Sequence, residues 1–182
     1  VVGILLGLLG TGWMHCQVTA GPTRTKRISL ETMGLLLYFI KSQHIKILDL
    51  TGGAPALNSH FRYLVAEARA VGVGVIDRCN LTVLFEPGQE SLALFLAEQQ
   101  VVITASLPCY LEDDVEKQRG KGVYGDSIKA IQHLNRLGYG IDPKLRLNLV
   151  YNPTGPVLPP PQQALQANYQ RELKQRFDIV FN

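Results

Sequence analysis

The sequence predicts an α/β fold in which parallel strands alternate with helices, and three observations lead to it. Short apolar or β-branched runs recur along the chain, and most are followed by a glycine- or proline-marked break. After most breaks comes a segment whose apolar residues fall at helical spacing, as crossover helices between parallel strands require. The composition suits a packed core: 46% of the residues are hydrophobic and only 18% charged, a balance that disfavours disorder. With 182 residues, positions 1–182 are read as one domain. Strand order, which separates a barrel from an open doubly wound sheet, is not written in periodicity. Both architectures bind ligands beyond the carboxyl ends of their strands.

The elements follow in order. VVGILLG is a first strand weakened by its glycines. The apolar opening is shorter than the roughly 20 residues of a membrane span and lacks the initiating Met and basic flank of a signal peptide. A chain that opens on Val1 and closes within the apolar FDIVFN has the look of an excerpt from something longer. QVTAGPTRTKR is a loop. Ser29 is a good N-cap for the helix LETMGLLLYFIKSQ, with Glu31 in its first turn. That helix is apolar around much of its circumference, so it is expected to be wedged between the sheet and other helices. Ile45 to Leu50 form the next strand, an apolar run suited to burial within a parallel sheet. Asn58 is expected to cap a helix carrying Phe61, Leu64, Val65 and Ala68 on one face, closed by Gly72.

Val71 to Asp77 give another strand, Pro87-Gly88 lead into a helix through Leu92, Phe95 and Leu96, and Val101 to Leu107 a further strand. EDDVEKQRGKGVYG reads as an exposed loop. A helix over Asp126 to Leu137 ends at Gly138, and Leu145 to Tyr151 form a strand that lies near an edge or points Arg146 and Asn148 to one face. Beyond the proline-rich linker, Leu165, Tyr169 and Leu173 mark a last helix, and FDIVF starts another strand.

The charge balance excludes some functions. Eighteen Lys plus Arg against 15 Asp plus Glu leave +3, too little and too scattered to argue for nucleic acid or a membrane surface. Three cysteines, Cys16, Cys79 and Cys109, are odd in number and far apart, which fits a reducing, cytoplasmic setting better than a disulfide framework. The four histidines do not cluster at metal-ligand spacing, no Ser, His and Asp set announces hydrolysis, and GxGxxG is absent.

At the carboxyl ends of the strands stand Gly52, Gly53 and Pro55, then Cys79 and Asn80, then Ser106 and Cys109, then Asn148 and Asn152. These are small polar groups and bare backbone, suited to gripping a small polar ligand. The glycine pair lets a ligand approach the main chain closely, although read alone it is equally a tight turn.

Several blocks go further. HCQVTAGPTRT, LDLTGGAPALNSHFR, DRCNLTVL, ASLPCYLEDDVEKQRGKGVY and LVYNPTGPVLPPPQ together resemble the radical S-adenosylmethionine (radical SAM) proteins that carry a Cys-rich C-terminal domain, of the arsenosugar-biosynthesis type. The resemblance runs from about His15 to Asn182, with that C-terminal domain absent. It implies a partial (β/α) barrel, a [4Fe–4S] cluster on a C-x3-C-x2-C loop, and reductive cleavage of S-adenosylmethionine with adenosyl transfer to an organoarsenic acceptor such as a methylated arsenical. A flavodoxin or ferredoxin is the electron donor it implies.

Carried over by position, Gly52, Gly53, Ala54 and Pro55 match the loop that holds the methionine amino group, and Cys16 matches the last cluster cysteine. Asn80, Ser106 and Asn148 sit where such barrels contact the methionine or ribose parts, and Cys109 is a candidate substrate-side thiol, with Cys79 a second. The other two cluster positions are Leu9 and Trp13, so residues 1–14 depart from the pattern. Two explanations are expected to compete: a relative that has lost the cluster but still binds a nucleotide-like ligand, or a displaced reading frame upstream of Cys16. The clean glycine loop favours the displaced frame. Coding DNA that yields no cysteine pair in any frame there would dismiss it.

Overall fold

A computed structural model describes residues 28–107, 109–110, 115, 122–151 and 158–182, together with the main chain of 2–8. Its centre is a five-stranded sheet of β1 (Val2–Leu8), β2 (Ile47–Gly53), β3 (Gly74–Asp77), β4 (Val102–Ser106) and β5 (Leu147–Val150), every neighbouring pair parallel. Helices α1 (Leu30–Ser42), α2 (Phe61–Ala70), α3 (Leu92–Glu98), α4 (Val123–Arg136) and α5 (Gln162–Phe177) alternate with the strands. The protein is therefore an α/β fold with an open parallel sheet among the described residues. The strands lie side by side in chain order, β1 through β5, with no reversal point.

Local chemistry accounts for the element ends. Ser29 caps α1, its hydroxyl accepting from the Thr32 N–H at 3.2 Å. Gly72 and Gly138 follow α2 and α4 with φ of 78° and 101°, the left-handed turn that ends a helix and that glycine adopts without strain. Asn58 acts earlier than expected. Its Oδ1 accepts from the His60 N–H at 2.9 Å and its amide donates to the Ile28 carbonyl at 3.3 Å, fixing the bend before α2 instead of its first turn.

The core lies between the helices and one face of the sheet. Leu48, Leu50, Val75, Ile103, Ala105 and Leu147 meet Leu64, Val65, Leu96, Ile131 and Leu134 there, all essentially inaccessible. Burial alternates strictly along β2, β3 and β4. Among the described residues β2 is thus fully buried on one face and half-buried on the other, and not fully buried on both as its apolar beginning suggested. It also extends through both glycines, since Gly53 still pairs with Leu8 of β1.

Two other expectations change. α1 buries Met33 and Ile40, but Leu35 and Tyr38 are 67% and 74% exposed, so the described residues cover one side of it rather than most of its circumference. FDIVF is not a strand. α5 ends at Asp178, whose φ is 56°, and the chain then runs to Asn182, whose N–H donates to the Leu147 carbonyl at 2.9 Å while its Oδ1 accepts from the Leu147 N–H at 2.8 Å. β5 is the last strand of the described sheet, as its alternation suggested, and the exposed Arg146 and half-buried Asn148 share a face. Most of EDDVEKQRGKGVYG lies outside the described residues; within it, Val115 is buried. No helix of the described residues is long and apolar enough to cross a membrane.

Candidate functional site

Because the described strands are all parallel, their carboxyl ends meet at one edge, and that edge gathers Gly52, Gly53, Ala54, Pro55, Asn80 and Ser106, while Asn148 lies on the sheet face two residues before the end of β5. Gly52 and Gly53 close β2 with φ of 104° and 67°. A side chain would be strained at either, so the glycines are a conformational requirement of this turn. Ala54 and Pro55 are buried, with Pro55 opening a 3₁₀ turn over Pro55–Leu57. Ala54 and Pro55 thus serve to seat the turn, and bare main chain is what the loop offers a ligand.

After β3 the chain adds one more ladder step. The Arg78 N–H donates to the Leu50 carbonyl at 2.9 Å and the Cys79 N–H to the Thr104 carbonyl at 3.1 Å. Asn80 is nearly buried and its Oδ1 accepts from the Thr82 hydroxyl at 3.2 Å, which leaves it a fixed rim residue. Ser106 ends β4 half-buried, and Asn148 in β5 donates to the Thr104 hydroxyl oxygen at 3.4 Å. Cys16 and Asn152 lie outside the described residues.

The two remaining cysteines part company. Cys109 is half-buried beside the aromatic group of Tyr110 and Tyr169, whose rings meet edge to face at 5.1 Å. Cys79 is fully buried, and burial, then the neighbouring Asp77 carboxyl, pushes its thiol well above the ordinary value. A thiol held protonated in the core is neither a nucleophile nor a ready ligand. Iodoacetamide is therefore expected to modify Cys109 in the native protein and Cys79 only after unfolding, as peptide mass mapping would show.

Sequence reasoning named Ser106 and Asn148 but missed the rest of the polar face of the sheet. On the side opposite the core, Asp49, Thr51, Thr104, Ser106 and Asn148 alternate with the buried residues, and Arg78 joins them. Arg78 grips Asp49 with both prongs, Nε to Oδ1 at 2.9 Å and Nη2 to Oδ2 at 2.8 Å. Asp49 is 14% exposed and Arg78 51%, and the carboxylate holds the guanidinium above its ordinary pKa. The period-two spacing of polar residues in ILDLTGG and VITAS was the available signal.

Asp77 points the other way, into the core. Burial, with a smaller push from Asp49, raises its carboxyl to about 7 against a lowering contribution from the Cys79 thiol. Among the described residues no partner within ordinary hydrogen-bond geometry reaches either oxygen, so the Cys79 contact is a weak one. Nearby, the buried Tyr139 hydroxyl donates to the Val101 carbonyl at 2.8 Å.

In comparison with known proteins, no family model matches this chain and no curated protein is significantly similar to it.

Proposed function

We propose that this chain is a partial (β/α) barrel of radical SAM type whose glycine loop holds S-adenosylmethionine, or a ligand with the same methionine or nucleotide parts, without cluster chemistry. The observation that carries the reading is the Gly52-Gly53 turn. Both residues have positive φ, at the carboxyl end of a parallel strand, next to a polar sheet face where Ser106 and Asn148 lie. Strands in unbroken chain order suit the barrel's winding better than a doubly wound sheet, in which the order reverses. The blocks of resemblance support the ligand class.

The cluster does not fit this chain. A cubane with one iron open to a ligand needs three thiolates. The sequence has three cysteines in all, Leu9 and Trp13 occupy two of the three motif positions, and Cys79 is committed to the core with its thiol protonated. Adenosyl transfer to an organoarsenic acceptor, which needs that cluster, is therefore not assigned to the chain. What its own residues do is bind and orient: main-chain carbonyls at the glycine turn can accept from an ammonium group, and the hydroxyls and amides of the polar face can meet ribose or carboxylate oxygens.

Calorimetry with S-adenosylmethionine tests this. The wild-type chain is expected to bind, and Gly53→Val to bind about tenfold more weakly or worse, since a β-branched residue at that φ forces the turn to move. After anaerobic treatment with iron and sulfide the protein is expected to stay colourless and still bind. A brown protein that cleaves S-adenosylmethionine would restore the cluster-dependent enzyme, and absence of binding would leave a structural domain.

A further inference from the structure

We propose that the polar face carries an oxyanion subsite built on Arg78, deeper in the sheet than the glycine turn, which takes the carboxylate or phosphate group of a small-molecule ligand. The register lines up the participants. Leu50 pairs with Asp77, Asp77 with Ile103, and Thr104 with Asn148. One residue further along, Thr51, Arg78, Thr104 and Asn148 form a single row across four strands, a step that the Arg78-to-Leu50 and Cys79-to-Thr104 main-chain bonds confirm. Gly53 stands two residues beyond Thr51, about 7 Å along the strand. The row therefore faces a different part of a bound ligand, or a different molecule, from the glycine turn.

Its chemistry is rich in donors. A guanidinium has five N–H groups, and two of them are held by Asp49. The others lie on edges turned away from that carboxylate, because the group is planar. The Thr104 hydroxyl oxygen accepts from Asn148, so its own hydrogen is left to donate. Thr51 adds a further hydroxyl. No member of the row is acidic, and among the described residues of this face one carboxylate, Asp49, is set against two guanidiniums, Arg78 and Arg146. Donor excess with a positive balance calls for an acceptor-rich anion. The two-pronged grip of Asp49 fixes the guanidinium in one orientation, so little side-chain freedom remains to be lost on binding. Asp49 is in this sense a positioning residue.

The subsite does not depend on what the glycine turn holds, and nitrogen-resolved NMR of the Arg78 side chain in the intact chain tests it, with inorganic phosphate and malonate as probes. A saturable shift of the Arg78 Nε signal is expected with at least one of them. Tighter phosphate binding assigns a phosphate-bearing ligand, and tighter malonate binding a carboxylate. Arg78→Lys, which keeps the charge and loses the planar fork, is expected to weaken the tighter probe about tenfold. Asp49→Asn is expected to weaken it also, although it removes a negative charge. Gly53→Val, which should impair only the turn, is expected to leave it unchanged. Absence of a saturable shift with either probe, an Arg78→Lys protein that binds as well as wild type, or tighter binding in Asp49→Asn would overturn the assignment.

Discussion

At about pH 8, Asp77→Asn is expected to be more stable than the wild-type chain by on the order of 3 kcal/mol. Wild-type Asp77 is completely buried, without a hydrogen-bond partner of ordinary geometry among the described residues, and its carboxyl is raised from 3.8 to about 7. Between those values the folded protein keeps a proton that the unfolded chain has released. Stability contributed by the neutral carboxyl is thus fully present below about pH 4 and is lost as the pH rises to about 7. Asparagine has similar volume and no titration, so it removes the cost of a buried charge while leaving a buried amide to be satisfied. At about pH 4 the two proteins should differ by about 1 kcal/mol or less. Urea unfolding at a series of pH values checks both statements. Parallel pH curves for the two proteins would show that Asp77 is not the group responsible.

Gly140→Ala is expected to cost about 3 kcal/mol, or to release the segment after α5. Gly140 has φ of 75°, and a Cβ there would lie 2.6 Å from the Val180 carbonyl oxygen and 3.1 Å from the Phe181 Cα. Those neighbours are backbone and cannot swing aside. They are held from the other direction by Asn135, whose amide donates to the Tyr139 and Val180 carbonyls at 2.8 Å each while its Oδ1 accepts from the Val180 N–H at 3.0 Å. Gly72→Ala is the control. Its φ is similar, 78°, but nothing lies within 4 Å of the added carbon, so only conformational strain of about 1 kcal/mol is expected. Denaturant unfolding ranks the two. Hydrogen exchange at the Leu147 and Asn182 amides shows whether the segment has let go.

Helices were more legible than the polar face of the sheet. Ser29, Gly72 and Gly138 announced their ends because capping is local chemistry, written within a few residues. α1 was misjudged because its apolar residues outnumber what one buried stripe can use, and only the fold shows that Leu35 and Tyr38 face outward. The glycine turn was found by its composition. The Asp49–Arg78 pair was not, because its members are 29 residues apart and are joined only when β2 and β3 come into register. Asp77 was hidden for the opposite reason. At the end of VGVGVID it reads as an ordinary polar strand end, and only the parity of the pleat turns it inward while its neighbour Arg78 turns outward.

The unbroken order of the strands has a kinetic consequence. Among the described residues, each strand from β2 onward pairs with the one made just before it. Assembly can therefore proceed in the direction of synthesis, every new strand and helix docking onto an edge that already exists. A doubly wound sheet must leave its first strand waiting for a partner from the second half of the chain. Here each new unit docks on the edge left by the strand before it, which keeps the loop to be closed at every step to a single strand–helix unit.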